Sequence, residues 1–363
     1  MAALLCSLAL NGYSTMKSAE VIIDGRHGEG GGQILRTGLA LSSLRGQPVI
    51  IDHIRANRKT PGLRPQHLVA VNALATITGA RVEGARVGST ELLFDPVGIK
   101  AGTYRFHIGT AGSIGLVLQA LIPVLLFGNE PSHVEITGGT HVPWSPPFHY
   151  LQSVFSPVLK AMGGQVHLEI TKWGWYPKGG GAVRASVHPT GGLKAIRSTH
   201  RGRLQAIQVC SAASNLPPHI AERQRDQALT RLAYLGITPH SSIENAPSPG
   251  QGTALFLLAH FEGIVAGFTS LGTRGKRAEA VADDACDEFI GFLDAGAAID
   301  RHLADQLVLY MALAEGYSTF LTEKVTEHLL TNIWVIERLL PVTFAIEEEV
   351  GKIGVQGLNF ALA

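Results

Sequence analysis

One arrangement of secondary structure recurs along this sequence, and it restricts the fold more than any single motif does. The pattern is a helix, a short strand, a second helix, and then a Gly or Pro turn into a pair of strands. The first copy predicts helices over 32–44 and 66–78, a strand over 48–54 and a strand pair over 81–94. Such alternation predicts a layered α/β (α+β) protein in which helices cover each sheet.

Two further copies of the pattern follow. The second predicts helices over 112–127 and 147–162, and strands over 133–137, 165–171 and 182–187. The third predicts helices over 300–314 and 326–339, and strands over 317–322, 342–347 and 352–355. His67, His149 and His328 each lie near the start of the second helix of their copy. We therefore expect three related structural units.

The pattern is lost between the second and third copies. Residues 201–295 predict a helix over 220–234, strands around 254–271 and an acidic helix over 278–293. We interpret this segment as a smaller inserted α/β domain. The expected division is an N-terminal tail at 1–17, a catalytic domain of three repeats at 18–200 and 296–363, and the inserted domain at 201–295.

Charge and cysteine usage set limits on partners and compartment. The net charge is +1 and the pI is about 7.9, so any binding of nucleic acid must depend on a local basic patch. Cys6, Cys210 and Cys286 lie far apart without metal-ligand spacing, which favours a reducing cytoplasm. The apolar run 2–10 is too short to span a membrane and lacks the basic start of a signal peptide, so no membrane association is expected.

A glycine-rich segment joins the first strand to the first helix. Residues 24–33 read Asp-Gly-Arg-His-Gly-Glu-Gly-Gly-Gly-Gln, with five glycines in the eight residues from Gly25. Glycines allow close backbone approach, and a helix N-terminus attracts anions. The run matches neither a Walker loop nor a dinucleotide fingerprint. The sequence is compatible with a phosphate-binding loop and, equally, with a tight turn.

Glu29 is unusual in such a loop. A carboxylate beside a phosphate site repels the ligand unless a divalent cation lies between them. We therefore expect Glu29 to bind a metal ion, although a carboxylate stabilised by the helix dipole is the alternative.

A basic segment follows the next strand. Arg55, Arg58, Lys59 and Arg64 lie within ten residues, close to Pro and Gly positions. Guanidinium groups suit bidentate phosphate contacts, so a polyphosphate or an RNA end fits this loop. A solvated basic loop is the alternative.

Three polar side chains on the later helices are further candidates. Gln119 lies within an apolar helix, where a satisfied core amide is the simpler interpretation. His302 and His328 lie near helix starts, where the helix dipole lowers the pKa of a histidine and leaves a nitrogen lone pair free to attack phosphorus.

Several segments together resemble one family, the RNA 3′-terminal phosphate cyclases, over 21–346. The similar stretches are 24–36, 55–68, 303–306 and His328-Leu329-Leu330-Thr331-Asn332, in the family's order. The resemblance implies three units of a four-stranded sheet backed by two helices, with a smaller domain inserted before the last unit. It also implies ATP-dependent formation of an RNA 2′,3′-cyclic phosphodiester, acting on RNA 3′-phosphate ends.

The resemblance also implies roles for individual residues. His328 would attack the α-phosphorus of ATP, AMP would pass to the RNA 3′-phosphate, and the neighbouring 2′-OH would displace AMP. Glu29 would bind Mg²⁺ or Mn²⁺. Phosphates of ATP or RNA would be bound by Arg36, Arg55, Arg58 and His67. The nucleotide would be held by Gln119, His302, Leu303, Ala304, Asp305 and Gln306. Asp305 would orient His328 or adenosine.

One position departs from the family pattern. Residue 302 is His where many relatives have Tyr, which makes His302 a rival nucleophile to His328. Two other functions are considered: a cyclase-like RNA-binding or ribosome-assembly protein without catalysis, and an enolpyruvyl transferase of similar architecture. The oligomeric state is left open between monomer and dimer.

Overall fold

Three of the four sheets in the computed structural model, which describes residues 20–361, share one topology. In each of them the first two strands are parallel and the last two are antiparallel. The spatial order is first, second, fourth and third strand in all three. The predicted α/β class with repeated four-stranded sheets is confirmed. The tail predicted at 1–17 lies outside the described residues.

The first unit follows the predicted pattern closely. Its elements are β1 (Val21–Asp24), α1 (Gly32–Arg45), β2 (Val49–Asp52), α2 (Pro65–Thr78), β3 (Arg81–Glu83) and β4 (Leu92–Asp95). Both helices end at a glycine in the left-handed region, Gly46 with φ 59° and Gly79 with φ 64°. A residue without Cβ adopts this conformation freely, so each glycine stops its helix and turns the chain into the next strand.

The second unit contains one irregular helix. Its elements are β5 (Thr103–His107), α3 (Ile114–Leu126), β6 (Ser132–Gly138), α4 (Phe148–Tyr150), a π-helical turn (Leu151–Phe155), α5 (Ser156–Ala161), β7 (Gln165–Lys172) and β8 (Gly181–His188). The single helix predicted over 147–162 is therefore divided. Pro157 explains the irregularity, because it lacks the N–H group that would continue the regular hydrogen-bond ladder.

The third unit is interrupted after its first strand. Its elements are β9 (Arg197–Ser198), then α8 (Arg301–Leu313), β14 (Glu315–Leu321), α9 (Glu327–Leu339), β15 (Phe344–Glu347) and β16 (Lys352–Leu358). Strand β9 pairs in parallel with β14. The insertion thus lies within this unit, between β9 and α8, and not before it as the resemblance implied.

The inserted segment forms the fourth sheet. Its elements are β10 (Leu204–Ser214), α6 (His219–Leu232), β11 (His240–Asn245), β12 (Gly252–Phe261), β13 (Val265–Leu271) and α7 (Ala278–Asp294). The strand order, β11-β10-β12-β13, differs from that of the repeats. This segment has a hydrophobic cluster of its own that includes Val209, Leu257, Phe268 and Phe289. The domain limits at 200/201 and 295/296 stay a prediction.

Helices of different units pack against one another in the main core. Helix α1 of the first unit contacts α3 of the second and α9 of the third, and within the third unit α8 contacts α9. The shared cluster includes Leu39 of α1, Leu118 of α3, Leu307 of α8 and Ile333 of α9. This packing brings the N-terminal region of α1 close to α9, from the other end of the chain. Among residues 20–361, no helix has the length and apolarity to cross a membrane.

Candidate functional site

The glycine-rich loop after β1 packs against helix α9. The N–H of Glu29 donates to Oγ1 of Thr331 at 3.3 Å, and the ring of His27 stacks on Trp334 with centroids 3.9 Å apart. Gly28 has φ 54°, and a Cβ there would lie 2.2 Å from Oγ1 of Thr331. Only glycine fits this contact, because a real Cβ cannot approach an oxygen so closely.

Glu29 and His328 meet at this junction. Nδ1 of His328 lies 2.8 Å from Oε2 of Glu29, and Arg58 contacts the same carboxylate oxygen. The Glu29 side chain is 11% exposed, whereas that of His328 is 54% exposed. Helix α9 begins here because the side chain of Thr326 accepts the N–H of Leu329. The structure therefore places the predicted nucleophile directly against the predicted phosphate loop.

The ion pair shifts both pKa values. The hydrogen bond to Glu29 raises the pKa of His328, although burial opposes the shift. Burial favours the neutral form of Glu29, but the hydrogen bond and charge of His328, together with Arg58, outweigh it and lower the pKa of Glu29. The expectation that a helix start lowers the pKa of His328 is wrong, because the hydrogen bond and charge of the carboxylate 2.8 Å away raise it.

Arg36 lies in the second turn of α1, almost completely buried at 9% exposed. Its guanidinium donates to Oε1 of Gln33 at 2.6 Å, while its Nε has no hydrogen-bond partner among the described residues. Burial lowers the pKa of Arg36 to about 10, and the charges of Asp305 and Glu29 oppose this shift. Arg36 is thus a buried cation at neutral pH with an unused donor.

His67 lies beside the start of α1. Its Nδ1 accepts the N–H of Arg64 at 3.1 Å, which assigns the ring proton to Nε2. A Cβ on Gly32 would lie 2.6 Å from that Nε2. Burial lowers the pKa of His67 to about 3, with further lowering by Arg36 and other nearby arginines. The ring is therefore neutral and directs an N–H toward the helix N-terminus.

The two predicted arginines of the basic loop have different environments. Arg58 is exposed and contacts Glu29. Arg55 is half-buried, and its Nη1 donates to the carbonyl oxygens of Thr60 at 2.7 Å and Gly62 at 2.9 Å. Arg55 therefore holds the shape of its own loop.

Helix α8 presents only some of its predicted residues to solvent. Leu303 and Ala304 are 0% exposed and belong to the main hydrophobic core, so their side chains cannot reach a nucleotide. Gln306 is 8% exposed, with Nε2 donating to the carbonyl of His302 and Oε1 lacking a partner among the described residues. Asp300 caps the helix by accepting the N–H groups of His302 and Leu303. The Oε1 of Gln306 is thus an unused acceptor.

His302 and Asp305 lie three residues apart on α8, one turn of the helix. His302 is exposed and Asp305 is half-buried. Burial raises the pKa of Asp305 to about 7, and the charges of His328 and Arg36 oppose this rise. Burial lowers the pKa of His302. Asp305 makes no hydrogen bond to His328 among the described residues, so it is Glu29 that orients the ring.

Gln119 lies on α3, apart from these contacts. Its Oε1 is buried and has no hydrogen-bond partner among the described residues. Among residues 20–361, no hydrogen bond or ring contact joins Gln119 to His302 or Gln306. A satisfied core amide is the wrong interpretation for this oxygen, and its place in a nucleotide site stays a prediction.

Two polar residues to which the sequence assigned no role, Thr37 and Asn332, connect the predicted ones. Oγ1 of Thr37 donates to Oδ1 of Asn332 at 2.6 Å, and Nδ2 of Asn332 donates to the carbonyl of Asp305 at 2.6 Å. Thr331 and Asn332 follow His328 by three and four residues, so they lie on the same helix face. This spacing from His328 is the sequence signal that could have identified Thr331 and Asn332 as part of the site. These bonds fix α1, α8 and α9 relative to one another.

The carboxylates of the region suggest how a metal ion would be held. Oε1 of Glu29 has no hydrogen bond among the described residues, so one oxygen remains free for a cation. A separate group, Asp24, Asp52 and His53, has ligand atoms within 4.8 Å of one another, but Arg26 already pairs with Asp24. The predicted role of Glu29 as a metal ligand stays a prediction.

Comparisons with known proteins agree on one family. The family model described as RNA 3′-terminal phosphate cyclase matches residues 27–346. A protein of Pyrobaculum neutrophilum called RNA 3′-terminal phosphate cyclase is 48% identical over 330 residues, covering 90% of this chain and 95% of that protein. Proteins with the same name from Methylococcus capsulatus and Pyrococcus furiosus are 46% and 42% identical, over 87% and 92% of this chain and 90% and 97% of their own lengths.

Proposed function

This chain belongs to the RNA 3′-terminal phosphate cyclase family, and we propose that it uses ATP to convert an RNA 3′-phosphate into a 2′,3′-cyclic phosphodiester. The observation that supports this most directly is the contact between His328 and Glu29, since it joins a nucleophile to an anion-binding loop. The names of the relatives agree with the reaction.

His328 is the proposed nucleophile. Because Nδ1 donates its proton to Glu29, the lone pair of the neutral ring lies on Nε2. Nε2 attacks the α-phosphorus of ATP, a nitrogen–phosphorus bond forms, and pyrophosphate leaves with the electrons of the broken phosphorus–oxygen bond. The hydrogen bond to Glu29 raises the pKa of His328 and so favours the protonated ring, which must lose a proton before it attacks.

The surrounding groups stabilise charge on phosphate oxygens. Arg36 supplies a buried positive charge with an unused N–H, and His67 supplies a neutral N–H donor beside Gly32. The free N–H groups at the start of α1 add a positive dipole. Preorganised donors of this kind lower the barrier of phosphoryl and nucleotidyl transfer without reorganisation. Arg58 completes the proposed phosphate site at its exposed edge.

The nucleotide is proposed to lie against the start of α8. Three unsatisfied buried atoms belong to residues predicted for this role or for the phosphates: Nε of Arg36, Oε1 of Gln119 and Oε1 of Gln306. An unpartnered buried polar atom costs roughly 1–3 kcal/mol, so such atoms are retained where a ligand satisfies them. His302 offers an accessible ring, whereas Leu303 and Ala304 only support the helix from the core.

A divalent cation, Mg²⁺ or Mn²⁺, is proposed to bind Glu29. When bound, it would neutralise phosphate charge and polarise the reacting phosphorus. Glu29 would then hold both the ion and the His328 ring through its two oxygens.

Transfer to RNA completes the proposed reaction. An oxygen of the RNA 3′-phosphate attacks the adenylyl phosphorus, and the bond to Nε2 of His328 breaks. The adjacent 2′-OH then loses its proton and attacks the RNA 3′-phosphorus, so that AMP leaves and the five-membered cyclic diester forms. The proposed compartment is the cytoplasm, in line with the free thiols of Cys210 and Cys286.

The function is tested by incubating the protein with ATP, Mg²⁺ or Mn²⁺ and a 3′-phosphorylated oligoribonucleotide. The expected result is an RNA end that resists phosphatase and opens to a monophosphate in acid. Ends that stay sensitive to phosphatase, with pyrophosphate absent, would contradict the proposal. RNA binding without any reaction would favour the cyclase-like binding protein, and the enolpyruvyl transferase alternative predicts no nucleotide adduct.

A further inference from the structure

The loop between β2 and α2 holds its cations in a fixed arrangement. Arg55 donates to two carbonyl groups of the loop, those of Thr60 and Gly62. The N–H of Gly62 donates to the carbonyl of Ile54 at 2.8 Å. A Cβ on Gly62 would lie 2.3 Å from the carbonyl oxygen of Gly88, so the two loops touch closely. The backbone that bears the loop's exposed side chains is therefore rigid.

This loop has an excess of positive charge. It contains Arg55, Arg58, Lys59 and Arg64, and only Arg58 has an acidic partner among residues 20–361, namely Glu29. Lys59 and Arg64 are exposed and form no ion pair in that part of the chain. Burial lowers the pKa of Arg55, and the charges of Arg58 and Arg64 lower it further. Mutual repulsion of this kind is relieved when an anion binds.

The unpaired cations lie at the outer edge of the proposed catalytic site. Lys59 directly follows Arg58, which contacts Glu29 and through it His328. Arg64 directly precedes α2, and its backbone N–H holds the ring of His67. The inner cation, Arg36, is buried, so the phosphates at the reaction centre have their own partner. Lys59 and Arg64 are thus exposed residues that adjoin, along the chain, groups contacting the reaction centre.

We propose that Lys59 and Arg64 bind the internucleotide phosphates of the RNA strand immediately 5′ of its terminal phosphate. This proposal rests on the proposed function. ATP ends at its γ-phosphate, whereas an RNA whose end reaches His328 continues out of the site, and this exposed basic edge adjoins it. Single-stranded RNA binds largely through its phosphate charges, and the chain's net charge of +1 gives no general attraction, so this local excess supplies it.

The test compares two RNA lengths with the variants Lys59→Gln and Arg64→Gln. Each variant is expected to raise KM severalfold for a long unstructured 3′-phosphorylated oligoribonucleotide, with kcat unchanged. KM for a nucleoside 3′-monophosphate, the shortest such substrate, changes little, because it has no internucleotide phosphate. The plot of log affinity against log salt concentration becomes less steep by about 0.7 for each cation removed. The rate of adduct formation with ATP alone is the internal reference.

Matched controls are Lys100→Gln and Arg274→Gln, which remove exposed cations elsewhere. The N–H of Lys100 donates to the carbonyl of Ile77 at the opposite end of α2, and Arg274 lies in the inserted segment. The charge-conserving variants Lys59→Arg and Arg64→Lys must keep tight binding, and melting curves check the fold. An unchanged KM for long RNA, an equal loss for both lengths, or a raised KM for ATP would overturn the proposal.

Direct binding separates this inference from the proposed function. Fluorescence anisotropy with the labelled long RNA measures the same contacts without any reaction. Suppose that the protein does not cyclise RNA, but Lys59→Gln and Arg64→Gln still weaken RNA binding and reduce its salt dependence. The proposed function is then wrong, while the proposed contacts of Lys59 and Arg64 with RNA stand. If the protein cyclises RNA but neither variant weakens RNA binding, the proposed contacts of Lys59 and Arg64 with RNA are wrong.

Discussion

Gly28→Ala should disconnect the glycine loop from helix α9 while leaving the fold in place. The added Cβ would lie 2.2 Å from Oγ1 of Thr331. The two groups must separate by roughly 1 Å, and a misplacement of this size can reduce a rate by about 10²-fold. Glu29, the next residue, moves with the loop and loses its alignment with His328. A non-glycine residue at φ 54° costs a further 1–2 kcal/mol or so in stability.

The assay is the single-turnover rate of adduct formation with labelled ATP, measured beside a melting curve. Gly46→Ala is the matched control, because Gly46 has φ 59° and no atom within 4 Å of an added Cβ. It should lose similar stability but keep the rate. Thr331→Ala should partly rescue Gly28→Ala by removing the clashing oxygen. An unimpaired Gly28→Ala rate, or a double variant no faster than Gly28→Ala, would refute this reasoning.

Two further predictions concern other contacts between the glycine-rich loop and helix α9. Since the hydrogen bond to Glu29 raises the pKa of His328, the rate of adduct formation should rise with pH through that raised pKa; in Glu29→Gln the rising limb should move to lower pH. If the rising limb of the pH–rate profile of Glu29→Gln lies at the same pH as that of the wild type, this prediction is contradicted. Trp334→Leu removes the stack with His27, worth about 0.5–1.5 kcal/mol, and should slow adduct formation up to about tenfold. Trp144→Leu, at a 97% exposed position, should not change that rate, and equal effects would count against the stack.

Local signals in the sequence predicted most of the helices well. Glycines at 46 and 79 mark where α1 and α2 end, because each adopts a left-handed conformation that closes its helix. Strands β5 and β9 were not predicted. Strand β5 alternates between exposed and half-buried residues, and β9 has only two residues, so neither shows an apolar pattern. The repeat was recognisable even though these strands were not.

The composition of the site was predictable, whereas its connections were not. Glu29 and His328 were each expected from local motifs and the family resemblance. Their hydrogen bond is a tertiary contact between the two ends of the chain, and it reverses the expected pKa shift of His328. Likewise, the burial of Leu303 and Ala304 follows from packing of α8 into the core, which a motif cannot reveal.

The proposed mechanism requires that the adenylyl group be attached to His328, next to Glu29. The most direct measurement is incubation with α-labelled ATP, followed by peptide mapping of the acid-labile adduct in the wild type, His328→Ala and His302→Ala. We expect label on the peptide containing residue 328, no label in His328→Ala and retained label in His302→Ala. Label retained in His328→Ala, or lost only in His302→Ala, would contradict it.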